Sequence, residues 1–200
     1  MHHSSLAYRG LKISTLRAHD KMLRGKQITL RPLTEEDWDL LLQWNSDAEV
    51  LYFSEGDDVE SYSLEDVQGM YRSVSRSAFC FIIESESGPI GECWLQEMNL
   101  ERILQRYPGH RCHRIDLMIG EKEHWGRGLG SEVVKLLVQF AFAEQESDFV
   151  FGCDVADYNR GSQRVFEKNG FTVDSQQSEP PGSKAAYRYD FVLSRNIWAE

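Results

Sequence analysis

The stretch from Arg114 to Leu137, RIDLMIGEKEHWGRGLGSEVVKLL, constrains the fold of this chain more than any other. A short apolar strand, Arg114 to Ile119, passes through a polar turn into three alternating glycines, Gly126, Gly128 and Gly130. An amphipathic helix follows, with Leu129, Val133, Leu136, Leu137 and Phe140 on its apolar side. Strand, glycine turn and helix start together make an anion site. The glycines admit a ligand close to the backbone, and the first free N–H groups of the helix point at it.

The flanking segments supply a sheet for this unit to sit in. Ile28 to Arg31 predicts a first strand, closed by Pro32. Thr34 with Asp37 predicts a capped helix carrying Trp38, Leu41, Leu42, Trp44 and Asn45, and Ser63 caps a second with Val67, Met70, Tyr71 and Val74 inward. Between them, Asp47 to Tyr62 is acidic and aromatic. It is expected to be a solvated connecting loop, with a lid over a cationic substrate as the functional alternative. Ala78 to Glu84 and Pro89 to Leu95 predict a hairpin, and Leu100, Ile103 and Leu104 a short helical insert. Phe149 to Asp154 predicts a further strand, Asn159 opens a helix that Gly170 ends, and Phe171 to Val173 and Tyr187 to Leu193 complete the sheet. The expected order is β-α-α-β-β-β-α-β-α-β-β. That is a mixed α/β (α+β) fold of seven strands with helices on both faces, in one domain over residues 27–200. Residues 1–26 show no sustained period and read as a basic, mobile or loosely attached extension.

Composition narrows the partners. The net charge is −10, yet residues 1–26 hold six basic side chains against Asp20 alone, so the remaining chain carries −15. Such a body repels nucleic acid and anionic membranes and attracts cations. No apolar run is long enough for a membrane span and no secretory leader is apparent, so a cytoplasmic protein, monomeric or homodimeric, is expected. Cys80, Cys93, Cys112 and Cys153 are widely spaced and read as free buried thiols. His110, Cys112 and His113 fit no zinc spacing, and no metal is expected.

The spacing of Gly126, Gly128 and Gly130 is G-x-G-x-G, with Ser131 where a dinucleotide fingerprint needs its third glycine, and no Walker-type Gly-Lys-Ser/Thr occurs. A pyrophosphate still suits the loop. WGRGLG, Trp125 to Gly130, resembles the acetyl-coenzyme A pyrophosphate loop of the GNAT superfamily of N-acetyltransferases, Gln/Arg-x-x-Gly-x-Gly/Ala. Asn159 followed by Ser162 and by FEKNGF, Phe166 to Phe171, is similar to that family's second signature. The resemblance spans about residues 27–195. It implies a mostly antiparallel sheet splayed between two central strands, with acetyl-coenzyme A in the opening. Backbone groups of Leu117, Met118 and Ile119 would meet the pantetheine arm, Trp125, Gly126, Arg127, Gly128, Leu129, Gly130 and Ser131 the pyrophosphate, and Asn159 the pantetheine region. Trp125 departs from the usual Gln/Arg. Phe166 stands where many members carry a tyrosine that protonates the departing thiolate.

Within the superfamily the chain is most similar to aminoglycoside N-acetyltransferases, particularly the 6′-amino type. Asp116 and Asp154 match the places where such enzymes hold acidic residues, and Trp44 with the aromatics after it resembles their early segment. Acyl transfer to an amine needs a base for the ammonium proton. Asp116 is the first candidate and Asp154 the second, each otherwise a strand-end carboxylate satisfying loop N–H groups. Glu92 and Trp94 share a strand face and, with Trp44, Tyr52, Asp57 and Asp58, are candidates for the acceptor pocket. The expected function is acetylation of a cationic small-molecule amine, an aminoglycoside at its 6′- or 2′-amine, which confers resistance. The alternatives are a protein N-terminus, another small amine, or a non-catalytic acyl-coenzyme A sensor.

Overall fold

The computed structural model describes residues 15–55, 59 and 61–198. Its strands are β1 (Leu23–Arg24), β2 (Thr29–Pro32), β3 (Ala78–Ser85), β4 (Gly88–Glu97), β5 (Cys112–Ile119), β6 (Phe149–Ala156), β7 (Thr172–Ser178) and β8 (Tyr187–Ser194). The helices are α1 (Trp38–Trp44), α2 (Ala48–Ser54), α3 (Leu64–Val74), α4 (Glu101–Arg106), α5 (Leu129–Ala143), α6 (Arg160–Lys168) and α7 (Arg195–Trp198), with 3₁₀ turns at Glu35–Asp37 and Lys122–His124. The strands form one sheet in the order β1-β2-β3-β4-β5-β6-β8-β7. Every neighbouring pair is antiparallel except β5 and β6, the two strands that α5 connects.

Alternation along β5 divides the core. Ile115, Leu117 and Ile119 pack with Val133, Leu137, Phe140 and Phe166 on the α5–α6 face. Met118 packs with Trp44, Val50, Val67, Tyr71 and Ile82 on the α1–α3 face. Local chemistry sets the helix ends as the sequence predicts. The Thr34–Asp37 and Ser63–Asp66 capping boxes both form, Asn159 caps α6, and Gly170 follows it at φ 83°.

Three expectations are corrected. The acidic connection after Trp44 is not a plain loop. Ala48–Ser54 is helical because the Asp47 carboxylate accepts from the N–H groups of Glu49 and Val50, and Val50 and Leu51 are buried beneath it. The sheet has eight strands rather than seven, since Leu23–Arg24 pairs with Thr29–Leu30. The described part of the N-terminal extension is docked, not loose. Leu16 is buried, His19 lies edge-on between Phe79 and Phe81, and Glu132 accepts from the N–H groups of Lys26 and Gln27. These contacts reach distant residues, which a local reading does not register.

Candidate active site

The parallel pair is short. Cys112, His113 and Arg114 pair with Phe149, Val150 and Phe151, and there the pairing ends. Beyond it β5 stays with β4 as far as Ile119, while β6 follows β8. A residue inserted at Asp154 drives the separation. The β6–β8 register shifts between Gly152 and Val155, and Asp154 takes a left-handed φ of 57°. The sheet therefore splays, and two cavities fill the opening. The smaller, about 90 Å³, is lined by Ile115, Asp116 and Leu117 on one strand and by Cys153, Asp154, Val155 and Ala156 on the other.

The larger, about 460 Å³, runs from Leu117, Met118 and Ile119 to the glycine loop. Gly126 and Gly128 adopt φ of 72° and 83°, and Gly128 is the N-cap of α5. A side chain at either would be strained, so glycine is required for the loop to turn its amides toward the groove. The first helical bond runs from Ser131 N–H to Gly128 O, which leaves the amides ahead of it directed outward with the positive end of a 15-residue helix. Trp125 does not act as a charged stand-in for Gln or Arg. Its indole N–H donates to the Ile119 carbonyl at 2.7 Å, tying the loop to the end of β5.

Opposite lies α6, with Gly161, Ser162, Arg164, Val165 and Lys168 on the cavity wall. Arg164 and Lys168 are one helical turn apart and place two cations beside the glycine loop. The sequence reading missed them, although their i, i+4 spacing on the helix after Asn159 was the signal available. Asn169 fastens this helix to the loop, donating to Ser131 O at 3.1 Å and to Val165 O at 2.8 Å.

The roof is α2. Its end carbonyls are capped from across the opening. The Asn159 amide donates to Phe53 O at 2.8 Å and the Tyr158 hydroxyl to Tyr52 O at 3.1 Å. Asn159 also accepts from Ser162 N–H, so both ends of its side chain are engaged. Phe53 meets Trp125 edge-on at 5.6 Å, and Val50, Phe53 and Ser54 line the larger cavity.

Asp116 and Asp154 face each other across the smaller cavity, each with an arginine. Arg114 grips Asp116 through both carboxylate oxygens at 2.8 and 2.7 Å. Arg102, from the short insert α4, reaches Asp154 at 2.8 Å and the fully buried Asp190 at 2.9 and 3.1 Å. Burial alone would raise the Asp190 carboxyl. Arg102, Gln177, Ser175 and the Asp154 N–H outweigh it and hold the group at about 2. Neither arginine was anticipated from the sequence. Phe166 closes the inner end of the opening. It stacks on Phe191 at 5.7 Å and lies against Gly152, where an added Cβ would come within 2.2 Å of its ring.

The proposed acceptor residues are spread unevenly. Glu92 and Trp94 lie on β4 on the same face as Asp116, since the register pairs Trp94 with Asp116. Trp44 is buried, donates its N–H to Glu121 at 2.8 Å and packs on Gly120, so it shapes the floor. Tyr52 is exposed on the roof, with the Lys184 ammonium 3.8 Å from its ring centre. Asp57 and Asp58 lie outside the described residues. His110, Cys112 and His113 have separate surroundings: His113 meets Ser147, His110 pairs with Asp148, and Cys112 packs in a small apolar cluster.

The chain is similar to known proteins in sequence and fold. Residues 27–172 fit the family model of the acetyltransferase (GNAT) domain. Aminoglycoside N(6′)-acetyltransferase type 1 of Klebsiella pneumoniae is 26% identical over 169 residues, covering 78% of this chain and 79% of that protein, and its Serratia marcescens namesake matches equally. Among solved structures, AAC(6′)-Ib in complex with ribostamycin and coenzyme A has a TM-score of 0.70 at 22% identity, covering 88% of this chain and 97% of that one. Spermidine N-acetyltransferase from Vibrio cholerae, in complex with coenzyme A and spermine, has a TM-score of 0.71 at 18% identity, covering 88% and 100%. The family model spans most of the chain and the solved structures share its fold, so this chain belongs to the GNAT acetyltransferase family as an acetyl-coenzyme A-dependent N-acetyltransferase.

Proposed function

We propose that this enzyme N-acetylates an aminoglycoside, at the 6′-amine in preference to the 2′-amine, and so inactivates the drug. The observation that carries the reading is Asp116, which sits at the inner end of the cofactor groove on the face that also bears Glu92 and Trp94. The similarity to 6′-aminoglycoside acetyltransferases over most of their length supports it, as does the acidic body of the chain.

Acetyl-coenzyme A supplies the activated acyl group when bound. The residues of the groove fit it: the Gly126–Ser131 amides and the α5 dipole suit a pyrophosphate, and Arg164 and Lys168 add charge beside it. Asp116 receives the acceptor ammonium. Each of its oxygens has one hydrogen bond from Arg114 and a further lone pair open, so an ammonium joins Arg114 rather than displacing it. Asp116 then takes the proton that the amine must lose before it attacks. The apolar ring at Phe166 offers no proton to the departing thiolate.

A second reading, a linear polyamine acceptor, is favoured by the similarity to the spermidine enzyme. Thiol release from acetyl-coenzyme A, followed with kanamycin and other aminoglycosides, spermine and N-terminal peptides, separates the two. Release with the aminoglycosides is expected. A response to peptide alone would refute the proposal, and tight coenzyme A binding with no release from any acceptor would point to a non-catalytic sensor. Arg164→Ala and Lys168→Ala are each expected to weaken coenzyme A binding about tenfold, the loss of one charge-assisted hydrogen bond, with the acceptor KM little changed. Calorimetric titration checks this.

A further inference from the structure

Where the sheet parts, β5 loses a neighbour. Arg114 is the last residue of β5 held from both sides, paired with Gln96 on β4 and with Phe151 on β6. Asp116, the next residue on the same face, pairs with Trp94 of β4 and has no partner on β6. Its carboxylate lines the smaller cavity together with Asp154. What holds it there is Arg114, whose Nε donates to one oxygen at 2.8 Å and whose Nη2 donates to the other at 2.7 Å. A grip at two points fixes the plane of a carboxylate as well as its place. The Arg114 side chain is 15% exposed and that of Asp116 25%, and of the two only Asp116 lines the cavity. The carboxylate is therefore the end of the pair that faces an acceptor.

The charges around this pair are unequal. Asp116 on β5, Asp154 on β6 and Asp190 on β8 are three carboxylates, set against two guanidinium groups, Arg114 and Arg102. Arg102 bonds Asp154 and Asp190, which leaves Arg114 as the partner of Asp116. Two further groups face them. The Cys153 thiol on β6 is pushed up by burial, and the Glu92 carboxyl on β4 is pushed well above the usual carboxylate range by burial first and Asp116 second. Burial also disfavours the Arg114 charge, and Asp116 and Asp154 more than offset it. Carboxylates that share a site resist ionising together unless a cation stands beside them.

We propose that Arg114 is a positioning residue for acetyl transfer: it fixes the Asp116 carboxylate in the orientation that meets the amine, and it supplies the cation that lets this carboxylate stand opposite Asp154. The inference rests on Asp116 as the base, and it applies whether the acceptor is an aminoglycoside or a polyamine. The two roles separate by chemistry. A lysine at this position keeps the charge but has no planar fork to set the orientation, and a methionine has neither.

The test is a set of pH profiles of kcat and kcat/KM at saturating acetyl-coenzyme A, with kanamycin or spermine, whichever the wild type acetylates. Arg114→Lys should lower kcat by about tenfold or more, the cost of a misaligned reacting group, with the acid limb of the profile where wild type has it. Arg114→Met should be slower still, and its acid limb should move up by about one pH unit or more, as removal of an adjacent cation requires. Coenzyme A affinity should stay within a small factor of wild type in both. Arg114→Met leaves a half-buried carboxylate unpaired, so the double variant Arg114→Met/Asp116→Asn, which removes both charges, supplies a folded control. Because Arg114 acts through Asp116, the double variant should be no slower than Asp116→Asn alone. A further loss in the double variant equal to that of Arg114→Met alone would overturn the proposal. So would wild-type kcat in Arg114→Lys, or an unmoved acid limb in Arg114→Met. If Asp116→Asn is slow and the Arg114 variants are not, this inference alone fails. If Asp116→Asn keeps wild-type turnover at every pH, the base reading fails and takes the inference with it.

Discussion

Asp116→Asn is expected to lower kcat by about 10²–10⁴-fold, the usual worth of a positioned general base, with coenzyme A affinity nearly unchanged. The asparagine keeps the size of the side chain and one acceptor for Arg114, so the pocket keeps its shape. What it loses is the place for the proton and the negative charge that draws the ammonium in. The remaining activity should rise with pH toward the pKa of the free amine, because an acceptor that arrives neutral needs no base. A pH profile of kcat/KM distinguishes this from a packing defect, which would lower the rate equally at every pH. Asp154→Asn should have the smaller effect, since Asp116 is the proposed base and asparagine tolerates the left-handed φ of the bulge as aspartate does.

The second large effect is on stability. Asp190 is fully buried and gathers Arg102, Ser175 Oγ, Gln177 Nε2 and the Asp154 N–H around one carboxylate. Asp190→Ala leaves these donors without a partner and should cost about 3 kcal/mol or more, with a fall in Tm of about 6–12 °C for a domain of this size. Because its folded pKa is depressed to about 2 from an ordinary 3.8, the contribution is complete above pH 4 and is lost as pH falls from about 4 toward 2. Wild type should therefore lose stability over that window, and Asp190→Ala should show a shallower acid limb. Loosening this centre also frees the Asp154 bulge, so the variant should lose activity at temperatures where it remains folded. Urea titrations at several pH values check the first part, and initial rates below the transition the second.

The site was legible where its chemistry is local. Strand, glycines and helix from Arg114 to Phe140 announce themselves by a change of period, and the caps at Thr34, Ser63 and Asn159 are each contained within four residues. Gly128 and Gly170 show through because no other residue takes their φ cheaply. The roof showed only as the alternative reading of the acidic, aromatic connection, and its helix not at all. α2 has seven residues, two exposed aromatics and an acidic flank, and its anchors Tyr158 and Asn159 lie 106 residues away. Arg102 was hidden for the same reason, since its partners Asp154 and Asp190 come together only when the sheet forms. Arg114 is different. It alternates with Asp116 on one strand, so period two alone places the pair on one face, and this ion pair was within reach of the sequence.

The most direct test of the central claim is the position of the acetyl group. Wild-type enzyme, acetyl-coenzyme A and an aminoglycoside bearing a 6′-amine should give one acetyl per molecule at that nitrogen by mass spectrometry and NMR. An analogue with a hydroxyl in its place should remain unmodified. Acetylation of both to the same extent, or of neither while a peptide amine is modified, would contradict the account.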